Sequence, residues 1–192
     1  MKQVYILLSR TGTIPSRLIY RLTRGAFTHA SLAMLPSTDR FFSYARRKLN
    51  RPFYAGFKEE NLHTHIFGKY PDSPCALFSL SVSDEGYDRM KKELGRYIEN
   101  YDTATYNFLG MLPLRMGIPI RRGMKLTCSQ FVALMLSVSG DVSLPKNPYA
   151  MLPGDFLKLS GLTKLYEGTI ADCAFPSLAS DPMENTNNFA KK

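Results

Sequence analysis

The sequence predicts an α+β protein in which a mostly antiparallel sheet is packed against helices, one of them almost wholly apolar. Three observations carry that reading. The segments "FTHASLAML" (27–35) and "RFFSYARR" (40–47) are extended runs separated by "PSTD", whose Pro, Ser and Asp mark the turn of an antiparallel hairpin. From Ser83 to Asn100 the apolar residues Tyr87, Met90, Leu94, Tyr97 and Ile98 recur at helical spacing behind a Ser that suits an N-cap. In "KLTCSQFVALML" (125–136), Thr127 to Gln130 fit a capping box, so Thr127 is the N-cap and Cys128 the first helical residue. Phe131, Val132, Leu134, Met135, Leu136 and Val138 then leave hardly a polar face, which predicts a helix sunk in the core and closed by Gly140.

The remaining elements follow in chain order. Gln3–Leu8 is a short apolar run that suits a buried strand, and "SRTGT" after it is a turn. Pro15 opens a helix over Ser16–Arg24, with Leu18, Ile19 and Leu22 on one side and Arg17, Arg21 and Arg24 on the other. A basic loop, Arg46–Arg51, leads into "PFYAGF". The pair His63 and His65 in "HTH" alternates as on one face of a strand. Turn residues "YPDSP" precede a strand over Cys75–Val82, while the Pro- and Gly-punctuated stretch Tyr106–Lys125 reads as loop. After the cysteine helix come the loop "SLPKNPYAMLPGD", a short helix near Asp155–Leu159 and a last strand in "LTKLYEGTI". One domain is expected over residues 1–174, with 175–192, polar and aperiodic, as a mobile tail.

At 192 residues the chain is long enough to bury a core without disulfides or metal. Lys and Arg number 25 against 16 Asp and Glu, a formal charge of +9, which permits an anionic partner without specifying one. The cations Arg17, Arg21, Arg24, Arg46, Arg47, Lys48, Arg121 and Arg122 are dispersed over turns and helix faces, so a nucleic-acid platform is not expected. Peripheral contact of the Arg17, Arg21 and Arg24 face with an anionic membrane is compatible with the pattern. The five apolar residues Val4–Leu8 are too few for a signal peptide, and a cytoplasmic protein is expected. Cys75, Cys128 and Cys173 are an odd set with no close spacing, which argues against a disulfide framework or zinc knuckle. With no third ligand near His63 and His65, no metal and no cofactor are expected.

Cys128 therefore stands out by position. A thiol in the first helical turn feels the partial positive charge of unpaired N–H groups, which favours thiolate, and the same N–H groups can hold an oxyanion. Buried Cys is also a common packing residue, and a thiolate nucleophile needs a base. Of the histidines, His29 begins a strand between Thr28 and the small residues Ala30 and Ser31, which leaves room beside its ring.

Here a resemblance enters. "YNFLG" followed by "TCSQFV" resembles the Y-x-W-G-G and D-C-S-G-F-V signatures of NlpC-type cysteine peptidases, and "THASLAML" resembles their histidine strand. The histidine motif comes first here, as in the circularly permuted papain-like branch that includes YiiX-like proteins and the lecithin retinol acyltransferase group. The match spans Val4 to Phe156. It implies a permuted papain-like fold with Cys128 as nucleophile, His29 as base and then acid, Tyr106 beside the oxyanion hole, and the Cys128 N–H as one donor in it. The third residue, which orients the histidine, is implied on the strand paired with the histidine strand, here "RFFSYARR". That strand offers Ser43, Tyr44 or water, and alternation favours Ser43 because Phe42 and Tyr44 make the better core stripe. Thr127 and Phe108 replace the family's Asp and Trp, departures that bear on a peptidoglycan substrate more than on the chemistry. The expected activity is an acyl-enzyme reaction on a small peptide or amide, with an acyl lipid second; a binding module of the same fold is the alternative.

Overall fold

The computed structural model describes residues 1–11, 26–51, 53–110, 118 and 123–175. Among them six strands form one antiparallel sheet: β1 (Lys2–Ser9), β2 (His29–Ala33), β3 (Phe41–Arg46), β4 (Ala55–Glu60), β5 (Pro74–Val82) and β6 (Thr163–Thr169), in spatial order β4-β3-β2-β1-β5-β6. The coarse class read from the sequence, α+β with an antiparallel sheet, is therefore present. Burial explains why β1 reads as an unbroken apolar run. It lies in the middle of the sheet, and Val4, Ile6 and Leu8 pack into one core while Tyr5 and Leu7 pack into a second on the opposite face.

Three helices are described: α1 (His65–Lys69), α2 (Asp84–Glu99) and α3 (Cys128–Ser139). The Ser83 hydroxyl accepts from the Gly86 N–H at 2.9 Å and caps α2. Met90, Leu94 and Tyr97 face the larger core as the spacing predicts, whereas Ile98 is left exposed. The α3 cap forms as read: Thr127 Oγ1 accepts from the Gln130 N–H at 3.3 Å, and Gln130 Oε1 accepts from the Thr127 N–H at 2.9 Å. Gly140 ends α3 at φ 76°, a left-handed conformation that favours glycine. Along α3, Phe131, Val132, Met135 and Leu136 are fully buried. Phe131 is ringed by Tyr44, Phe57 and Tyr97 at centroid distances of 5.7, 5.5 and 5.1 Å, an aromatic cluster that clamps α3 and α2 onto β3 and β4.

Several expectations are corrected. "HTH" is not a strand: Thr64 stands at the N-cap position of α1, without a side-chain capping bond, and His65 begins the helix at φ 52°. The short helix expected near Asp155 is present, as a 3-10 helix over Pro153–Lys158 with Pro in its first turn. Phe175 is no part of a free tail. Its ring meets Tyr5 edge-on at 4.9 Å and stacks on Phe41 at 6.1 Å, closing the second core over Cys75 and Cys173. β4, which the basic loop hid in the sequence, pairs with β3 along its whole length. The helix expected over Ser16–Arg24, and Arg121 and Arg122, fall outside the described residues.

Candidate active site

Three segments converge at the N-terminus of α3. The first is α3 itself, which starts at Cys128 because the Thr127 hydroxyl caps it by accepting from the Gln130 N–H, leaving the Cys128 and Ser129 N–H groups to the site. The second is β2, whose first residue is His29, held in register opposite Ser9 of β1. The third is the short extended stretch through Tyr106, fixed by Tyr106 N–H to Ala55 O at 2.9 Å and Phe57 N–H to Ala104 O at 2.8 Å. Gly56 permits this close approach, since a side chain there would collide with the Ala104 carbonyl and the Arg47 guanidinium. Arg47, read in the sequence as a surface cation, is instead buried. It donates to the carbonyls of Phe57, Tyr101 and Ala104, and so ties β4 to the Tyr106 stretch.

Cys128, His29 and Tyr106 are brought together. Cys128 lies close enough to His29 and Tyr106 for each to act on the other's ionisation, and the backbone N–H groups of Ala30 and Ser129 favour the Cys128 thiolate. The Cys128 backbone N–H also acts on the Tyr106 hydroxyl, opposing part of its rise. Burial opposes the thiolate, but the His29 hydrogen bond and charge, with the two N–H groups, outweigh it and lower the thiol below its ordinary range. Burial likewise opposes the His29 cation. Glu60 and Cys128 overcome it and raise the imidazole well above its ordinary value. Tyr106 is held far above the usual phenol range by burial and by the neighbouring Cys128 charge, so it stays a donor.

The histidine's partner is the main correction. His29 Nε2 lies 2.9 Å from Glu60 Oε2, which leaves Nδ1 for the thiol. Ser43 does not take that position: its hydroxyl donates to the Ala30 carbonyl at 2.7 Å, a strand-to-strand tie between β3 and β2. Tyr44 points to the other face, where its hydroxyl donates to the Met124 carbonyl at 2.8 Å. Glu60 sits on β4, one strand beyond the expected one, opposite Phe41. It reaches past β3 and is steadied by the Ser31 hydroxyl, which donates to the same Oε2 at 2.7 Å and lies 3.2 Å from His29 Nε2. Burial would raise the Glu60 carboxyl, yet the His29 charge and hydrogen bond, with Ser31 and Lys58, hold it below its ordinary range.

The other thiols lie in the second core. Cys75 and Cys173 lie together there, and the neighbouring Cys173 together with burial pushes Cys75 far above the ordinary thiol range. The same neighbourhood lowers Cys173 against its burial. His63 lies within 3.2 Å of Thr38 Oγ1 at the surface, and among the described residues no three His, Cys, Asp or Glu side chains gather as metal ligands. No helix among the described residues is long and apolar enough to cross a membrane. No family model matches the chain, and no curated protein is significantly similar to it.

Proposed function

We propose that the protein is a thiol hydrolase or acyltransferase of permuted papain-like type, working through an acyl-enzyme on Cys128. The observation that carries the reading is the chain of contacts Cys128, His29, Glu60, beginning at the first residue of a capped helix. The depressed thiol and raised imidazole both favour the thiolate–imidazolium form of the pair. In the reaction the Cys128 sulfur attacks the substrate carbonyl carbon. The carbonyl oxygen takes negative charge where the Cys128 N–H and the Tyr106 hydroxyl now face each other. Collapse breaks the bond to the leaving group, which takes the proton from His29; water or a second acceptor, deprotonated by His29, then releases the acyl group. Glu60 holds the ring through Nε2 and balances the imidazolium.

The Glu60 carboxylate beside His29 favours this reading over a binding or regulatory module of the same fold that has lost its chemistry. An amide or peptide of small size ranks first as substrate and an acyl lipid second. The test joins two measurements. Iodoacetamide labelling with peptide mapping is expected to modify Cys128 before Cys75 or Cys173, and His29→Ala to abolish that preference. Incubation with wall-peptide fragments and with phospholipid vesicles, followed by intact-mass measurement, is expected to give an acyl adduct that Cys128→Ser lacks. Faster labelling of Cys173 than of Cys128 would remove the basis of the proposal.

A further inference from the structure

The β3–β4 hairpin tip carries a surface that the site chemistry does not use. From Arg46 to Lys58 the sequence holds Arg46, Arg47, Lys48, Arg51 and Lys58 and not one Asp or Glu. Arg47 is turned inward, its guanidinium 3.9 Å from the Tyr101 ring centroid, and anchors the base of the tip. The tip is also held by its backbone, with Arg47 N–H to Tyr54 O at 2.9 Å and Tyr54 N–H to Arg51 O at 3.1 Å. On this braced turn Phe53 is 81% exposed and Leu49 45% exposed, with Lys48 and Arg51 exposed beside them. Large apolar side chains left in water at a braced turn ask for an apolar medium, and exposed cations in a segment without a single Asp or Glu ask for an anionic one.

The same surface continues toward the thiol. Phe53 meets Phe108 edge-on at 5.8 Å, Phe108 lies 4.7 Å from the Tyr106 ring, and Leu109 beside it is 75% exposed. We infer that the hairpin tip, through Phe53, Leu49, Lys48 and Arg51 and joined by Leu109, docks on an anionic lipid bilayer. A hairpin tip that exposes apolar side chains next to cations fits the headgroup boundary, where rings enter the acyl region while Lys and Arg stay with the phosphates. Docked in this way, the protein presents the Phe108–Tyr106 wall toward the lipid, so a bilayer-borne amphiphile would reach Cys128 without crossing water. The docking itself does not depend on Cys128 being a nucleophile.

The chain contains no Trp, so Phe53→Trp introduces a single reporter at the tip. Vesicles of phosphatidylcholine mixed with phosphatidylglycerol are expected to shift its emission to the blue, and vesicles of phosphatidylcholine alone to leave it largely unchanged. In flotation with the mixed vesicles, Phe53→Ser, which leaves the charge constant, is expected to lower the partition coefficient roughly tenfold, the factor that burying one aromatic ring carries. Lys48→Glu combined with Arg51→Glu is expected to lower it by more than about tenfold. Labelling of Cys128 by iodoacetamide, measured without vesicles, reports the thiol site separately and is expected to be the same in all these variants. Equal flotation of wild type and Phe53→Ser would show that diffuse charge alone holds the protein, and would overturn the inference. So would the absence of flotation, or a dimer in sedimentation that Phe53→Ser dissolves, which would assign the tip to a second copy of the chain.

Discussion

Glu60 holds the His29 ring at 2.9 Å from a strand that does not pair with the histidine's own, since β3 lies between β4 and β2. The reach is diagonal: β2 and β4 run parallel, so Glu60 lies level with the far end of β2 from His29, and Ser31, two residues along β2, meets both the Glu60 carboxylate and the ring. The carboxylate, and not a hydroxyl, therefore sets the charge state of the imidazole. Glu60→Gln is expected to lower the His29 pKa, weaken the cation beside Cys128 and let the thiol rise. The pH at which iodoacetamide begins to label Cys128 should move upward, with labelling at neutral pH slowed roughly tenfold, the factor of one unit in a thiol titration. An unshifted profile would mean that Glu60 does not govern the pair.

Ser31 is expected to position Glu60. Its hydroxyl is fully buried and donates to the oxygen that also binds His29. Ser31→Ala removes a hydrogen bond to a buried charged acceptor and is expected to cost about 1.5–3 kcal/mol of stability at neutral pH. A packing defect would cost the same in acid. Loss of a carboxylate partner would not, because the cost fades once Glu60 is protonated, so urea unfolding at two pH values distinguishes them.

The stability of the His29–Glu60 pair is also expected to depend on pH on both sides. Glu60, depressed in the fold, contributes stability above its ordinary value of 4.5 that is lost as pH falls through its lower folded value. His29, raised in the fold, contributes stability below its ordinary value of 6.5 that is lost as pH climbs through its higher folded value. Between 4.5 and 6.5 both contributions are complete. The stability of wild type relative to Glu60→Gln is thus expected to be bell-shaped and to reverse in alkali, where an uncharged ring leaves Glu60 a buried, unpaired anion. Denaturant titrations across that range measure the difference, and a flat difference would argue against the pair.

How much of this was legible in the sequence depends on what each feature is made from. The cap, the start and the end of α3 rest on interactions within a few residues, and Thr127, Gln130 and Gly140 show them directly. β1, β3, β5 and α2 were legible through periodicity, which reports burial. Glu60 was not, because its role arises from strand order in space, and nothing in "AGFKEE" separates it from Glu59 beside it except alternation on a strand that was not read. Ser43 is the natural choice only if the partner comes from the adjacent strand, whereas the long Glu60 side chain reaches across β3 to the ring. Arg47 misled because a cation in a basic loop looks solvated, while its three carbonyl acceptors come from distant parts of the chain.

Two glycines give the last prediction, with opposite signs. Gly56 lies where the Ala104 carbonyl and the Arg47 guanidinium pass against the backbone, and the hydrogen bonds from Phe57 to Ala104 and from Tyr106 to Ala55 keep those groups from backing away. Gly56→Ala is expected to cost about 1–3 kcal/mol as an overpacked site. Because the displaced stretch carries Tyr106, the variant should also change the labelling rate of Cys128. Gly95 lies within α2, where an added methyl meets nothing within 4 Å. There Gly95→Ala is expected to stabilise the fold by about 0.5–1 kcal/mol, since alanine restricts the unfolded chain and suits a helix, and to leave Cys128 labelling unchanged. Urea unfolding of both variants, with iodoacetamide rates alongside, checks the pair. If Gly56→Ala were as stable and as reactive as wild type, the close approach at Gly56 would not be what seats Tyr106 against the thiol.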